Sequence, residues 1–171
     1  MKIPLDHICV KSGVLCPRCQ RLVDNRVIEP YEIDIMRTLL DLEENAEFRF
    51  LRTATYQRSI KINNLLVLVL QLSNSFVQPR VLARLDKHLS DLLGIKVRVI
   101  DKGSGNIKTL VSQLIAPARV IGINTLWLPD GSIQYIVRIP KSDNRYLPAS
   151  KEILEDVLGN LIGNNVRIKV E

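Results

Sequence analysis

One stretch of this chain occurs twice, 69 residues apart, and that repetition limits the fold more than any other feature of the sequence. Leu89-Ser-Asp-Leu92-Leu93-Gly94-Ile-Lys-Val97-Arg98-Val99 returns, without a gap, as Leu158-Gly-Asn-Leu161-Ile162-Gly163-Asn-Asn-Val166-Arg167-Ile168. The same offset pairs Pro79 with Pro148, Leu85 with Leu154, and the apolar run Leu66–Leu70 with Tyr135–Ile139. Chance supplies leucines readily. It does not supply proline, glycine, Val-Arg and an apolar strand in one register, so the chain is read as two copies of one supersecondary unit.

Each copy has a legible internal order. In the first, Tyr31 to Glu44 carries apolar residues at helical spacing after Pro30, a residue suited to a first helical turn. Ile60, Ile62 and Leu65–Leu70 read as two strands meeting at Asn63-Asn64, a hairpin-type turn. Pro79 opens a helix whose Leu82, Leu85, Leu89, Leu92 and Leu93 form one face, Gly94 ends it, and Ile95–Ile100 alternate as a strand. The second copy follows suit, with a helix over 106–115, strands over 119–128 and 132–139 around Pro129-Asp130-Gly131, a helix after Pro148, and a last strand over 166–170. The expected fold is therefore α+β: two helix–strand–strand–helix–strand units, residues 30–102 and 103–171, behind a short Cys-rich extension, residues 1–29.

That order in tandem, together with Leu92-Leu93-Gly94 before a basic strand and the hairpin Leu126-Trp127-Leu128-Pro129-Asp130-Gly131, resembles the paired type II KH domains of the transcription factor NusA, especially its short archaeal relatives. The resemblance covers about Tyr31 to Glu171. It implies two KH-like units and binding of single-stranded RNA, a nascent transcript or ribosomal RNA, in transcription elongation or termination, with neither catalysis nor a required cofactor. One departure bears on the chemistry. A KH domain grips nucleic acid with a GXXG loop, whose glycines let the backbone approach the nucleotides. At the matching positions stand Val77-Gln78-Pro79-Arg80-Val81-Leu82 and Tyr146-Leu147-Pro148-Ala149-Ser150-Lys151, without a glycine.

Charge distinguishes the copies. The chain carries 24 Lys and Arg against 18 Asp and Glu, a net charge of +6. Residues 61–128 hold nine basic and three acidic side chains, while residues 129–171 hold six of each. Arg80, Arg84 and Lys87 share a helix face opposite the leucines; with Lys96, Arg98, Lys102, Lys108 and Arg119 they form a candidate phosphate-tracking surface. The equivalent helix of the second copy presents Glu152, Glu155 and Asp156, which repel phosphate. RNA is thus expected on the first unit and the linker, with the second unit structural or protein-binding. An ordinary solvated face would show the same residues. The competing reading is a scaffold that docks on RNA polymerase or the ribosome without touching RNA.

The extension has its own chemistry. His7, Cys9, Cys16 and Cys19 lie within thirteen residues, and Cys16-Pro-Arg-Cys19 has the spacing that lets two thiolates hold one metal ion. In an extended segment His7 and Cys9 point to one side and would complete a Cys3His zinc site. Cys9 also suits a buried small apolar position, and the C-x-x-C pair a redox couple or, in a hyperthermophile, a disulfide.

Other signals are weaker. Lys102-Gly103-Ser104-Gly105-Asn106 reads as a linker and helix cap, and Trp127 as packed beneath its turn more readily than as a base-stacking side chain on an exposed hairpin. No G-x-S-x-G, H-E-x-x-H or Walker A loop occurs, so an enzyme is not expected. The longest apolar run, Leu65–Leu70, is far too short for a bilayer, and Met1-Lys2-Ile3-Pro4-Leu5-Asp6 has no apolar signal core; a cytoplasmic protein with no membrane partner is expected.

Overall fold

The structure, a computed structural model, describes residues 1–72 and 77–171. Short helices α1 (His7–Ser12) and α2 (Pro17–Asp24) lead into α3 (Pro30–Leu42), a 3-10 segment (Ala46–Thr53), strands β1 (Thr55–Ile62) and β2 (Leu65–Gln71), helix α4 (Pro79–Leu93) and strand β3 (Lys96–Asp101). The second half runs α5 (Ile107–Ile115), β4 (Gly122–Trp127), β5 (Ile133–Ile139), α6 (Lys151–Ile162) and β6 (Asn165–Val170). The chain is α+β, with two three-stranded sheets ordered β1-β2-β3 and β4-β5-β6. In each, the first two strands are antiparallel and the last two parallel, the parallel pair being joined by the long helix.

The 69-residue offset reappears as strand register. Leu65 lies opposite Lys96 in the first sheet and Gln134 opposite Asn165 in the second, and every later pair keeps the same relation. The offset changes across the hairpins. Ile62 pairs with Leu65 around two residues, whereas Trp127 pairs with Ile133 around Leu128–Ser132. Both long helices end at a glycine in the left-handed region, Gly94 at φ 70° and Gly163 at φ 82°. A side chain there would strain the backbone, which explains why glycine closes both copies.

A carboxylate clamp also recurs. Asp86 on α4 accepts from the Val99 N–H at 2.8 Å and from Arg98 at 3.4 Å. Glu155 on α6 accepts from the Ile168 N–H at 2.8 Å and from Arg167 at 3.4 Å. Each clamp ties the long helix to the edge strand beside it. Glu155 is therefore engaged in its own unit rather than projecting freely as a phosphate-repelling group.

The sheets stack in four layers. Leu66, Leu68, Leu70, Val97 and Val99 on one face of the first sheet pack with α3, α4 and the N-terminal residues. On its other face, Leu65, Val67, Val69 and Ile100 pack with Val111, Leu114 and Ile115 of α5 and Leu154, Val157 and Leu158 of α6. Those helices in turn cover Val137, Ile139, Val166 and Ile168 of the second sheet. Residues 65–70 are consequently all buried, as expected of a strand covered on both faces. Across the seam, the Arg58 guanidinium donates to the Asn160 carbonyl at 2.7 Å and Arg98 to the Ala116 carbonyl at 2.6 Å.

Several boundaries differ from the sequence reading. His7 and Cys9 are helical, not extended: Asp6 is the N-cap and Gly13, at φ 78°, the stop. The first strand of the second unit starts at Gly122 rather than Arg119, because the Asp143 carboxylate takes the Arg119 N–H at 2.9 Å. Helix α6, by contrast, follows Pro148 as the sequence reading has it: it starts at Lys151, where the Ser150 side chain accepts from the Ile153 N–H at 3.4 Å. Residues 1–29 do not stand apart either. Leu5, Cys9, Val10, Cys19 and Ile28 share the first core, and Lys2 pairs with Thr55 beside β1.

Candidate nucleic-acid groove and metal centre

A groove follows α4 and β3 along the seam between the units. Its wider part, about 890 Å³, is lined by Asn63 and Asn64 of the first hairpin, Lys87, Ser90 and Asp91 of α4, Gly94, Lys96 and Arg98, and the approach to α6, Pro148–Ser150 and Ile153. A smaller apolar cavity of about 250 Å³ lies between Val77, Pro79 and Leu82 on one side and Val99, Thr109, Ser112, Gln113 and Ala116 on the other. The two adjoin, since Ala83, Asp86 and Arg98 line both. One end thus carries free ammonium groups and amides, and the other accepts an apolar body.

Asp86 and Arg98 form the divide. Burial pushes the Asp86 carboxyl up to about 6, against the Val99 N–H and Arg98, which pull it down. The Arg98 side chain is only 15% exposed and its Nε, buried, has no hydrogen-bond partner among the described residues.

The eight basic residues expected to form one surface are dispersed. Lys87, Lys96 and Arg98 meet in the groove. Arg84 pairs with Glu47 at 3.2 Å, Arg98 with Asp86 and Arg119 with Asp143 at 3.0 Å. Arg80, in the first turn of α4, Lys102, in a 3-10 turn, and Lys108, in the first turn of α5, are exposed but line neither cavity. Among the described residues, Arg80, Lys87, Lys96, Lys102 and Lys108 have no carboxylate partner. Trp127 is 71% exposed rather than packed under its turn, and it lines neither cavity.

The cysteines converge. Ligand atoms of Asp6, Cys9, Cys16 and Cys19 lie within 4.8 Å of one another, close enough to hold a metal ion. His7 is not among them. On a helix, residues two apart lie about 200° apart around the axis, whereas Asp6 and Cys9, three apart, share a face. Cys16 caps α2 and Cys19 lies one turn on. Each sulfur accepts a backbone N–H: Cys19 from Asp6 at 3.3 Å, Cys9 from Cys16 at 3.3 Å, and Cys16 from Cys19 at 3.5 Å. The Cys19 N–H lowers the Cys16 thiol, while burial pushes Cys19 up to about 11. All three cysteines are free of disulfides.

Sequence reasoning missed Asp6, Asn63 and Asn64 and the Pro148–Ser150 wall. The Asp6-x-x-Cys9 spacing, matching Cys16-x-x-Cys19, was the available signal for the first. No pattern along the chain signalled the wall, which another unit contributes. Among the described residues no helix is long and apolar enough to cross a membrane. No family model matches the sequence, and no curated protein matches it. Among solved structures, the crystal structure of APE1850 aligns at 20% identity over 69% of this chain and 88% of that one, with a TM-score of 0.46, too distant a likeness to carry an inference about this chain.

Proposed function

We propose that this chain is a tandem KH-like, NusA-type protein that binds single-stranded RNA of the transcription apparatus in the groove along α4 and β3. The observation that carries the reading is the adjoining pair of cavities, charged at one end and apolar at the other. Phosphates fit beside Lys87 and Lys96, and an unstacked base fits between Leu82, Val99 and Ala116, with the Asp86–Arg98 pair able to donate to and accept from its edge. The glycine-free loops make this a groove contact rather than a GXXG backbone contact. Arg84 and Arg119 are paired within the fold and Arg98 faces the base pocket, so the phosphate-facing set narrows to Lys87 and Lys96, with Arg80, Lys102 and Lys108 as outlying positive charge.

The same proposal gives the Asp6, Cys9, Cys16 and Cys19 cluster a structural Zn2+, the ion that suits three sulfurs and one oxygen in a closed tetrahedron.

Ultraviolet cross-linking of a uridine-rich oligomer to the full chain, followed by peptide mapping, tests the reading. Adducts are expected in residues 82–99 and 148–153. Adducts confined to the second sheet would overturn it, and so would nuclease-resistant retention on RNA polymerase or ribosomes without any adduct.

A further inference from the structure

We infer that Asp6, and not His7, closes the metal centre, and that this carboxylate is the corner through which the ion exchanges. The inference rests on the zinc reading above and concerns how that site is finished and opened.

The geometry separates Asp6 from the three sulfurs in two ways. Its Oδ2 lies 3.3 Å from Cys16 Sγ and 3.7 Å from Cys19 Sγ. A tetrahedral zinc with bonds of about 2.3 Å to sulfur and about 2.0 Å to oxygen sets those edges at about 3.5 Å. Two of the carboxylate's three edges to sulfur therefore already match such a tetrahedron, and the Cys9 ligand atom lies within 4.8 Å of the others. Its orientation is held from outside: Oδ1 accepts from Arg18 at 3.2 Å, which leaves Oδ2 to face the sulfurs. A partner of this kind on the far side of a ligand is what fixes ligand geometry in metal sites. Each sulfur also accepts a backbone N–H, the kind of contact that holds a sulfur ligand in place around a metal.

Exposure then decides the exchange route. Cys9 and Cys19 are buried and Cys16 is half-buried, whereas the Asp6 side chain is 51% exposed. A single carboxylate oxygen holds zinc less firmly than thiolate sulfur and competes with water on its exposed side. A chelator reaches the ion there first. Loss of the ion would loosen residues 1–29, whose Cys9, Val10 and Cys19 belong to the first core and whose Lys2 pairs beside β1.

The full chain loaded with Zn2+ or Co2+ tests this. One ion per chain is expected for wild type and for His7→Ala, with the same cobalt–thiolate charge-transfer band. Asp6→Ala should weaken binding by roughly ten- to a hundredfold while keeping that band, because the three thiolates remain. Asp6→Cys should bind more tightly and slow the transfer of zinc to a colorimetric chelator by at least about tenfold. Zinc loss in His7→Ala with none in Asp6→Ala would overturn the inference, as would chelator transfer from Asp6→Cys at the wild-type rate. Absence of stoichiometric metal in wild type would instead remove the zinc reading, and this inference with it.

Discussion

Asp86 and Glu155 perform one task in two places, each tying its long helix to a backbone N–H and an arginine of the neighbouring strand, yet the sheets they brace face different surroundings. The outward face of the first sheet, Leu65, Val67, Val69 and Ile100, is covered by α5 and α6. At the equivalent positions the second sheet carries Gln134, Ile136, Arg138 and Lys169, at least partly exposed. The second unit thus presents a largely polar, solvent-facing surface where the first presents a covered apolar one. The same asymmetry leaves the first unit with a groove, since only its long helix and edge strand gain a wall from a following unit. Repetition supplies the scaffold, and position in the stack supplies the difference.

Exchanging residues between the units breaks or sharpens that contrast. Val69→Arg should be the most damaging, because it places an unpaired charge in the seam; a loss of about 3–5 kcal/mol in urea unfolding is expected. The reverse exchange, Arg138→Val, should stay within about 1 kcal/mol, as it removes only a half-exposed ion pair to Glu171 at 3.7 Å. Equal effects would refute the four-layer stack. Cutting the clamps ranks next. Asp86→Ala strands the buried Arg98 and should cost about 3 kcal/mol, while Glu155→Ala leaves Arg167, 65% exposed, to solvent and should cost about 1 kcal/mol.

Titration separates the two units by sign rather than by size. The Asp86 carboxyl is raised by burial to about 6, so the folded state holds its proton more firmly than the unfolded chain. Its contribution is full at pH below the ordinary carboxyl range of about 4 and is lost as pH rises through about 6. Asp143 is lowered by Arg119 to about 2, so its contribution is present above that ordinary range and is lost as pH falls toward about 2. Unfolding midpoints measured from pH 3 to pH 7 should lose their decline between about pH 4 and pH 6 in Asp86→Asn and keep it in Asp143→Asn.

Much of this architecture is written along the chain. The offset that pairs Gly94 with Gly163 and Val97 with Val166 becomes strand register, because parallel strands joined by connections of equal length align equally. The stack was also legible in principle: six consecutive apolar residues at 65–70 mark a strand covered on both faces, and the polar Gln134 and Arg138 set between apolar Tyr135, Val137 and Ile139 mark one that is not. The site was less legible. Six residues of α1 contain too little periodicity to distinguish helix from strand, and that choice decides whether His7 or Asp6 faces the cysteines. Arg84 is neutralised by Glu47, 37 positions away, and Arg119 by Asp143, 24 positions away; no local pattern reveals such partners.

The most direct test of the central claim is the salt dependence of affinity for a single-stranded RNA oligomer, compared between wild type, Lys87→Glu/Lys96→Glu and Lys141→Glu/Lys169→Glu. Two phosphate contacts in the groove predict that the first variant loses at least about tenfold in affinity and flattens the log–log salt slope by about 1.4. The second variant should keep the wild-type slope. A slope unchanged by the groove variant, or flattened equally by both, would contradict the account.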